Sequence, residues 1–245
     1  MTNLHTEKTF ETAITECLVE QGGYSQGEAS DYSIELGMFK ADVISFIQTT
    51  QPDKWAKLEA MHGADCPNRL IQRLYKELDL RGSLDVLRNG FVDYGIRFQM
   101  VFFKPESGLN PDTLALYAKN SLKVVRQLYY SAKNKNSVDL VLALNGLPVA
   151  TLELKNHFTG QTASNAKRQY AQDRDNRELL FAFKKRALVH FAVDPDEVYM
   201  TTRLNGSKTC WLPFNQGCNN GKGNPANPAG YKTSYLWEAV LAKDS

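Results

Sequence analysis

The chain contains no apolar run approaching the roughly 20 residues needed to cross a bilayer. Met1 to Phe10 has no apolar core of the kind that marks a signal peptide. Both absences predict a cytoplasmic protein with no membrane partner. Cysteine is sparse: Cys17, Cys66, Cys210 and Cys218 are scattered without a C-x-x-C pair, which argues against a thiolate zinc site and for reduced thiols. His5, His62, His157 and His190 show no metal-ligand spacing either, although His157 lies close in sequence to the charged motif described below. Charge of one sign is also lacking. A net charge of +2 is too small to indicate nucleic acid by itself, so DNA binding has to rest on local clustering. There is no internal repeat and no long low-complexity segment. A P-loop is missing too: Gly221-Lys222 invites the comparison, but Gly217 lies one residue too near and Gly223 stands where Ser or Thr belongs.

What is present is a chain long enough to bury a real core, organised around Ser137 to Asn156, S-V-D-L-V-L-A-L-N-G-L-P-V-A-T-L-E-L-K-N. Two apolar runs, Val138 to Leu144 and Leu147 to Leu154, are joined by Asn145-Gly146, a strong hairpin signal. Asp139, Glu153 and Lys155 interrupt the apolar pattern, and charge carried into a sheet is costly unless paired or holding a metal. Side chains alternate across a strand, so Glu153 and Lys155 share a face. An unbroken ladder from a two-residue turn pairs Leu144 with Leu147 and sets Asp139 opposite Leu152, on the wrong face. A three-residue loop, or a bulge, brings all three charges together, and we expect one of these. Two carboxylates converging with a lysine are what metal-assisted phosphodiester hydrolysis requires. The oxygens of Asp139 and Glu153, with the main-chain carbonyl of Leu154, suit one or two Mg²⁺ ions, for which Mn²⁺ substitutes. Lys155 would orient the attacking water or offset charge on the phosphorane. The plainer alternative is a hairpin with its charges on a solvated face.

The stretch V-D-L-V-L-A-L-N-G-L-P-V-A-T-L-E-L-K-N resembles the core motif of PD-(D/E)xK nucleases, with Asp139 as the D and Glu153-Leu154-Lys155 as ExK. Val138 replaces the usual Pro. More specifically, the chain resembles the N-terminal nuclease region of the restriction (R, HsdR) subunit of type I restriction-modification enzymes. F-I-Q-T-T-Q-P-D-K-W (Phe46 to Trp55), R-Q-Y-A-Q-D-R-D (Arg168 to Asp175), F-K-K-R-A-L-V-H-F-A-V-D-P-D-E-V-Y-M-T-T-R-L (Phe183 to Leu204) and L-P-F-N-Q-G (Leu212 to Gly217) extend the likeness. The resemblance implies DNA double-strand cleavage in unmodified DNA as part of a complex with modification and specificity subunits. It also implies dependence on ATP-driven translocation by helicase domains of the same subunit. This chain has neither the P-loop nor the length for those domains, so ATP should not bind here, and we expect a fragment that cuts poorly alone. Related nucleases contribute an acidic residue from a helix before the sheet, for which Glu11 or Glu16 stands ready. Many carry Q-x-x-x-Y on the helix after the lysine. Here Ala166 takes the Gln position, leaving open whether Gln169 or Tyr170 faces the site. A stand-alone structure-directed or repair nuclease of the same superfamily, and a non-catalytic DNA-binding or docking module, are the alternatives.

The remaining pattern predicts an α/β fold: a mixed central sheet flanked by helices (91–245), preceded by a mainly helical N-terminal region (1–90). Helices are expected at Thr9 to Val19, Phe39 to Ile47, from Pro52, and around Leu70, Leu74 and Leu78, with Tyr24 to Asp31 as turns. Strands are expected at Ile96 to Phe103, Leu122 to Tyr130, Ala187 to Val193 and Val198 to Leu204. A helix is expected from Thr162, with Ala163, Ala166 and Tyr170 sharing a face and Lys167, Arg168, Arg174 and Arg177 decorating the remainder. Arg168, Arg174, Lys184 and Lys185 are candidate contacts to the site or to the DNA backbone.

Overall fold

A computed structural model describes residues 7–156 and 160–245. Its α1 helix (Glu7–Glu20) buries Phe10, Ile14 and Leu18 in one stripe, as the helical period requires. β1 (Tyr24–Gly27) follows in the stretch expected to be turns. Its four residues carry no strand pattern of their own and become extended by parallel pairing with β4 (Leu122–Tyr129). Four helices then stack: α2 (Lys40–Thr50), α3 (Pro52–His62), α4 (Cys66–Arg81) and α5 (Ser83–Asn89). Pro52 opens α3 at the one place where its missing N–H costs nothing. Gly82, at φ 87°, separates α4 from α5. Phe46, Ile47, Leu58, Leu70, Leu74 and Leu78 fill the core of this layer.

The strand expected from Ile96 to Phe103 is shorter. β3 (Ile96–Phe98) pairs only with β2 (Phe91–Asp93), and beyond Phe98 side-chain amides take the part of a neighbouring strand. Gln51 accepts from Gln99 N at 2.9 Å and donates to Gln99 O at 2.9 Å. Asn120 treats Phe102 likewise, accepting from its N at 3.2 Å and donating to its O at 2.6 Å. The backbone groups are satisfied without a ladder, so alternation of Phe98 and Met100 into the core survives although the strand does not.

Asn110 caps α6 (Pro111–Ala118), its side chain accepting from Asp112 N. Thereafter come β4, β5 (Ser137–Leu144), β6 (Leu147–Leu154), α7 (Ala163–Asp173), β7 (Val189–Val193), β8 (Val198–Thr201), β9 (Leu212–Pro213) and a closing π-helical turn, Leu236–Val240. The seven-stranded mixed sheet runs β1-β4-β5-β6-β7-β8-β9, with β1/β4 and β6/β7 parallel and the other pairs antiparallel. β5 and β6 lie at its centre and are buried on both faces, which is why their sequences read as continuous apolar runs. One face packs on α1 and the closing turn through Phe10, Leu140, Leu152, Leu236 and Trp237. The other packs on α7 through Val141, Ala143 and Tyr170. Among the described residues no helix is long and apolar enough to cross a membrane.

Candidate active site

The hairpin turn is a tight two-residue one: Asn145 and Gly146 sit at φ 50° and 85°, with Leu144 opposite Leu147. A bulge then shifts the register. Leu144, Ala143 and Leu142 pair with Leu147, Pro148 and Ala150, so Val149 is the extra residue. Its carbonyl accepts instead from Leu188 N at 2.9 Å. Beyond the bulge Leu140 faces Leu152, and one further step sets Asp139 opposite Glu153, on the α7 side of the sheet with Thr151. Of the two expected routes to charge convergence, a three-residue loop or a bulge, the chain takes the bulge. Pro148 was the overlooked signal for its position, since a proline within a central strand belongs at a bulge.

The charges lie at the open end of the hairpin, where the first turn of α1 and the end of α7 approach. Asp139 is buried; its Oδ2 accepts from Leu154 N at 2.8 Å and its Oδ1 from Gln127 Nε2 at 3.2 Å. The same Gln127 amide nitrogen donates to Glu11 Oε2 at 3.1 Å, and Arg126 Nε donates to Glu11 Oε1 at 2.6 Å. Glu11 thus joins the site through Gln127, while Glu16 is exposed. Lys155 Nζ meets Glu7 Oε1 at 3.1 Å, one helical turn before Glu11.

Glu153 is fully buried. Arg174 places Nε at 2.7 Å and Nη2 at 2.6 Å from its Oε1, whereas Oε2 is buried with no hydrogen-bond partner. Burial, reinforced by the Asp139 carboxylate, pushes the Glu153 carboxyl up to about 8; Arg174 and Lys155 oppose that rise. Behind it lies a buried relay. Tyr170 OH is 2.7 Å and His190 Nδ1 2.8 Å from Thr151 Oγ1. Burial lowers His190 to about 3, so the ring is neutral, and burial followed by the Glu153 charge holds the Tyr170 hydroxyl protonated.

Of the other sequence candidates, Tyr170 is buried beneath the site, Gln169 is half-buried, and Arg168 is exposed. Lys184 and Lys185 make their contacts at the α4–α5 junction. Ser83 N and Oγ donate to the Lys184 and Lys185 carbonyls, and Lys185 Nζ donates to the Asp79 carbonyl. His157 lies outside the described residues. Sequence reasoning missed Gln127, Glu7 and Tyr130; only Glu7 left a trace, standing four residues before Glu11 on one helix face. Arg174 also lines a polar cleft of about 650 Å³ with Asn134, Asn136, Asp175, Asn176 and Asn205.

Residues 5–209 match the family model described as type I restriction enzyme R protein N terminus (HSDR_N). The chain belongs to this family. The matched span takes in Glu7, Glu11, Asp139, Glu153, Lys155 and Arg174, so every charged group at the open end of the hairpin falls inside the HSDR_N region. No curated protein matches the chain.

Among the described residues no group of three or more His, Cys, Asp and Glu side chains forms a metal cage. The hairpin offers two carboxylates close to one another, those of Asp139 and Glu153. Two carboxylates suit Mg²⁺, which retains several waters, and Glu153 Oε2, buried without a hydrogen-bond partner, is left able to take a cation or a proton.

Proposed function

We propose that this HSDR_N region is the DNA endonuclease part of a type I restriction enzyme R subunit, hydrolysing phosphodiesters with a divalent cation. The observation that carries the reading is Asp139 opposite Glu153 across a bulged hairpin, with a buried, unpartnered Glu153 oxygen. Asp139, Glu153 and the Leu154 carbonyl would hold the ion. When bound, Mg²⁺ polarises the phosphoryl oxygen and lowers the pKa of the attacking water. Lys155, released from Glu7, orients that water or offsets the growing phosphorane charge. Family membership supports placing the chain in a complex with modification and specificity subunits, acting on double-stranded, unmodified DNA after ATP-dependent translocation by helicase domains.

The non-catalytic alternative draws on one observation. Glu153 and Lys155 already have internal partners in Arg174 and Glu7, as in a structural ion-pair network. Cleavage by the assembled enzyme separates the two. Lys155→Ala should abolish cutting of an unmodified plasmid while ATP hydrolysis and translocation continue; undiminished cutting rules out Lys155 as the catalytic lysine.

A further inference from the structure

Arg174 leaves the end of α7 with extended backbone (φ −108°, ψ 98°), turning its side chain back beneath the sheet, where only 2% of it is exposed. Three groups hold the guanidinium. Nη2 donates to the Ser137 carbonyl at 2.7 Å and Nη1 to the Tyr130 hydroxyl at 3.4 Å, and that hydroxyl donates to the Asp173 carbonyl at 3.0 Å. The remaining contact is to Glu153, and its form is unusual. A free guanidinium–carboxylate pair favours two parallel bonds, one to each oxygen. Here Nε and Nη2 both converge on Oε1, leaving Oε2 bare in a buried position that also feels Asp139.

We propose that Arg174 is a positioning residue: by gripping one oxygen of Glu153 it keeps the other aimed at a divalent cation shared with Asp139. The inference rests on the metal-dependent reading above. An arginine that merely stood in for the cation would be expected to span both oxygens and to lack other anchors. This one is tied to the start of β5 and to Tyr130 just past β4, whose hydroxyl is itself fastened to the end of α7, so it stays in place as the cation arrives. Ligating carboxylates are commonly held in this way by outer partners, whose loss weakens metal binding about 10–100-fold. Lysine cannot reproduce the grip, because a single ammonium lacks the planar fork that reaches Glu153, Ser137 and Tyr130 together.

The test is Mn²⁺ titration of the 245-residue chain by calorimetry, with folding followed by circular dichroism. Arg174→Gln should weaken Mn²⁺ about 10–100-fold, and Arg174→Lys should recover only part of the loss. Unchanged or tighter Mn²⁺ binding by Arg174→Gln, in a chain where Glu153→Gln abolishes it, overturns the role of Arg174 and leaves the metal site standing. Binding indifferent to Glu153→Gln overturns the metal site and this inference together. If Arg174→Gln fails to fold, Arg174→Lys decides: wild-type affinity overturns the proposal, and a clear loss supports it.

Discussion

Glu153 ties both folding and cation binding to pH. Its carboxyl holds a proton up to about 8 in the folded chain, against about 4.5 when unfolded. Between those values the folded state binds the extra proton, so stability should fall as pH rises through this window and level off above it. Urea midpoints measured across the window should show that slope, and Glu153→Gln, neutral throughout, should flatten it. Cation binding requires the ionised carboxylate, so Mn²⁺ affinity should rise with pH over the same range, with proton release visible in calorimetry. That Asp139, Glu153 and Lys155 belong together was legible because each broke an apolar pattern. Gln127 was not: it reaches Asp139 and Glu11 from a β4 residue with a positive φ of 48°, which no neighbouring residue type announces.

At the scale of the element, the hairpin depends on what grips its turn. The amide of Phe39, just before α2, donates to the Gly146 carbonyl at 2.9 Å. A Cβ on Gly146 would lie 2.7 Å from Phe39 O, Val43 N and Val43 Cγ2. Gly146→Ala should therefore cost about 1–3 kcal/mol from backbone strain alone and more from the clash, read as a lower urea midpoint. Asn145 does more than turn the chain. Buried, it donates to the Met100 carbonyl at 2.9 Å and to Asn120 Oδ1 at 3.0 Å, and accepts from Ser121 N at 2.7 Å. The Asn-Gly pair announced the turn, but the buried amide network around it joins segments far apart in sequence and left no local pattern.

The whole molecule is closed by a segment outside the family match. Leu236 and Trp237 are buried against α1, with the Trp237 ring 5.7 Å from Phe10 and Tyr231 4.8 Å from Phe10. Thr233 Oγ1 donates to the Asp194 carbonyl and Lys243 N to the Gly22 carbonyl, fastening the segment to the sheet and to the end of α1. Since α1 carries Glu7 and Glu11 to the site, this strap supports the site from a distance. Trp237→Ala should cost about 3–5 kcal/mol, seen as a lower melting temperature, and should loosen Mn²⁺ binding by freeing α1.

The hairpin, the sharing of a face by Glu153 and Lys155, the need for a three-residue loop or a bulge if Asp139 was to join them, and the α/β character of the chain all follow from the amino-acid order alone. Those are consequences of period-two alternation, turn chemistry and the cost of burying charge, all of which act between near neighbours. Tertiary structure decided the rest. It drew β1 into the sheet, let Gln51 and Asn120 stand in for strands, placed the bulge at Val149 by offering Leu188 as a partner, and turned Lys185 inward to α4. It also brought Arg174 to a single oxygen of Glu153. Each of these depends on contacts between segments distant along the chain, where no local period records the partner.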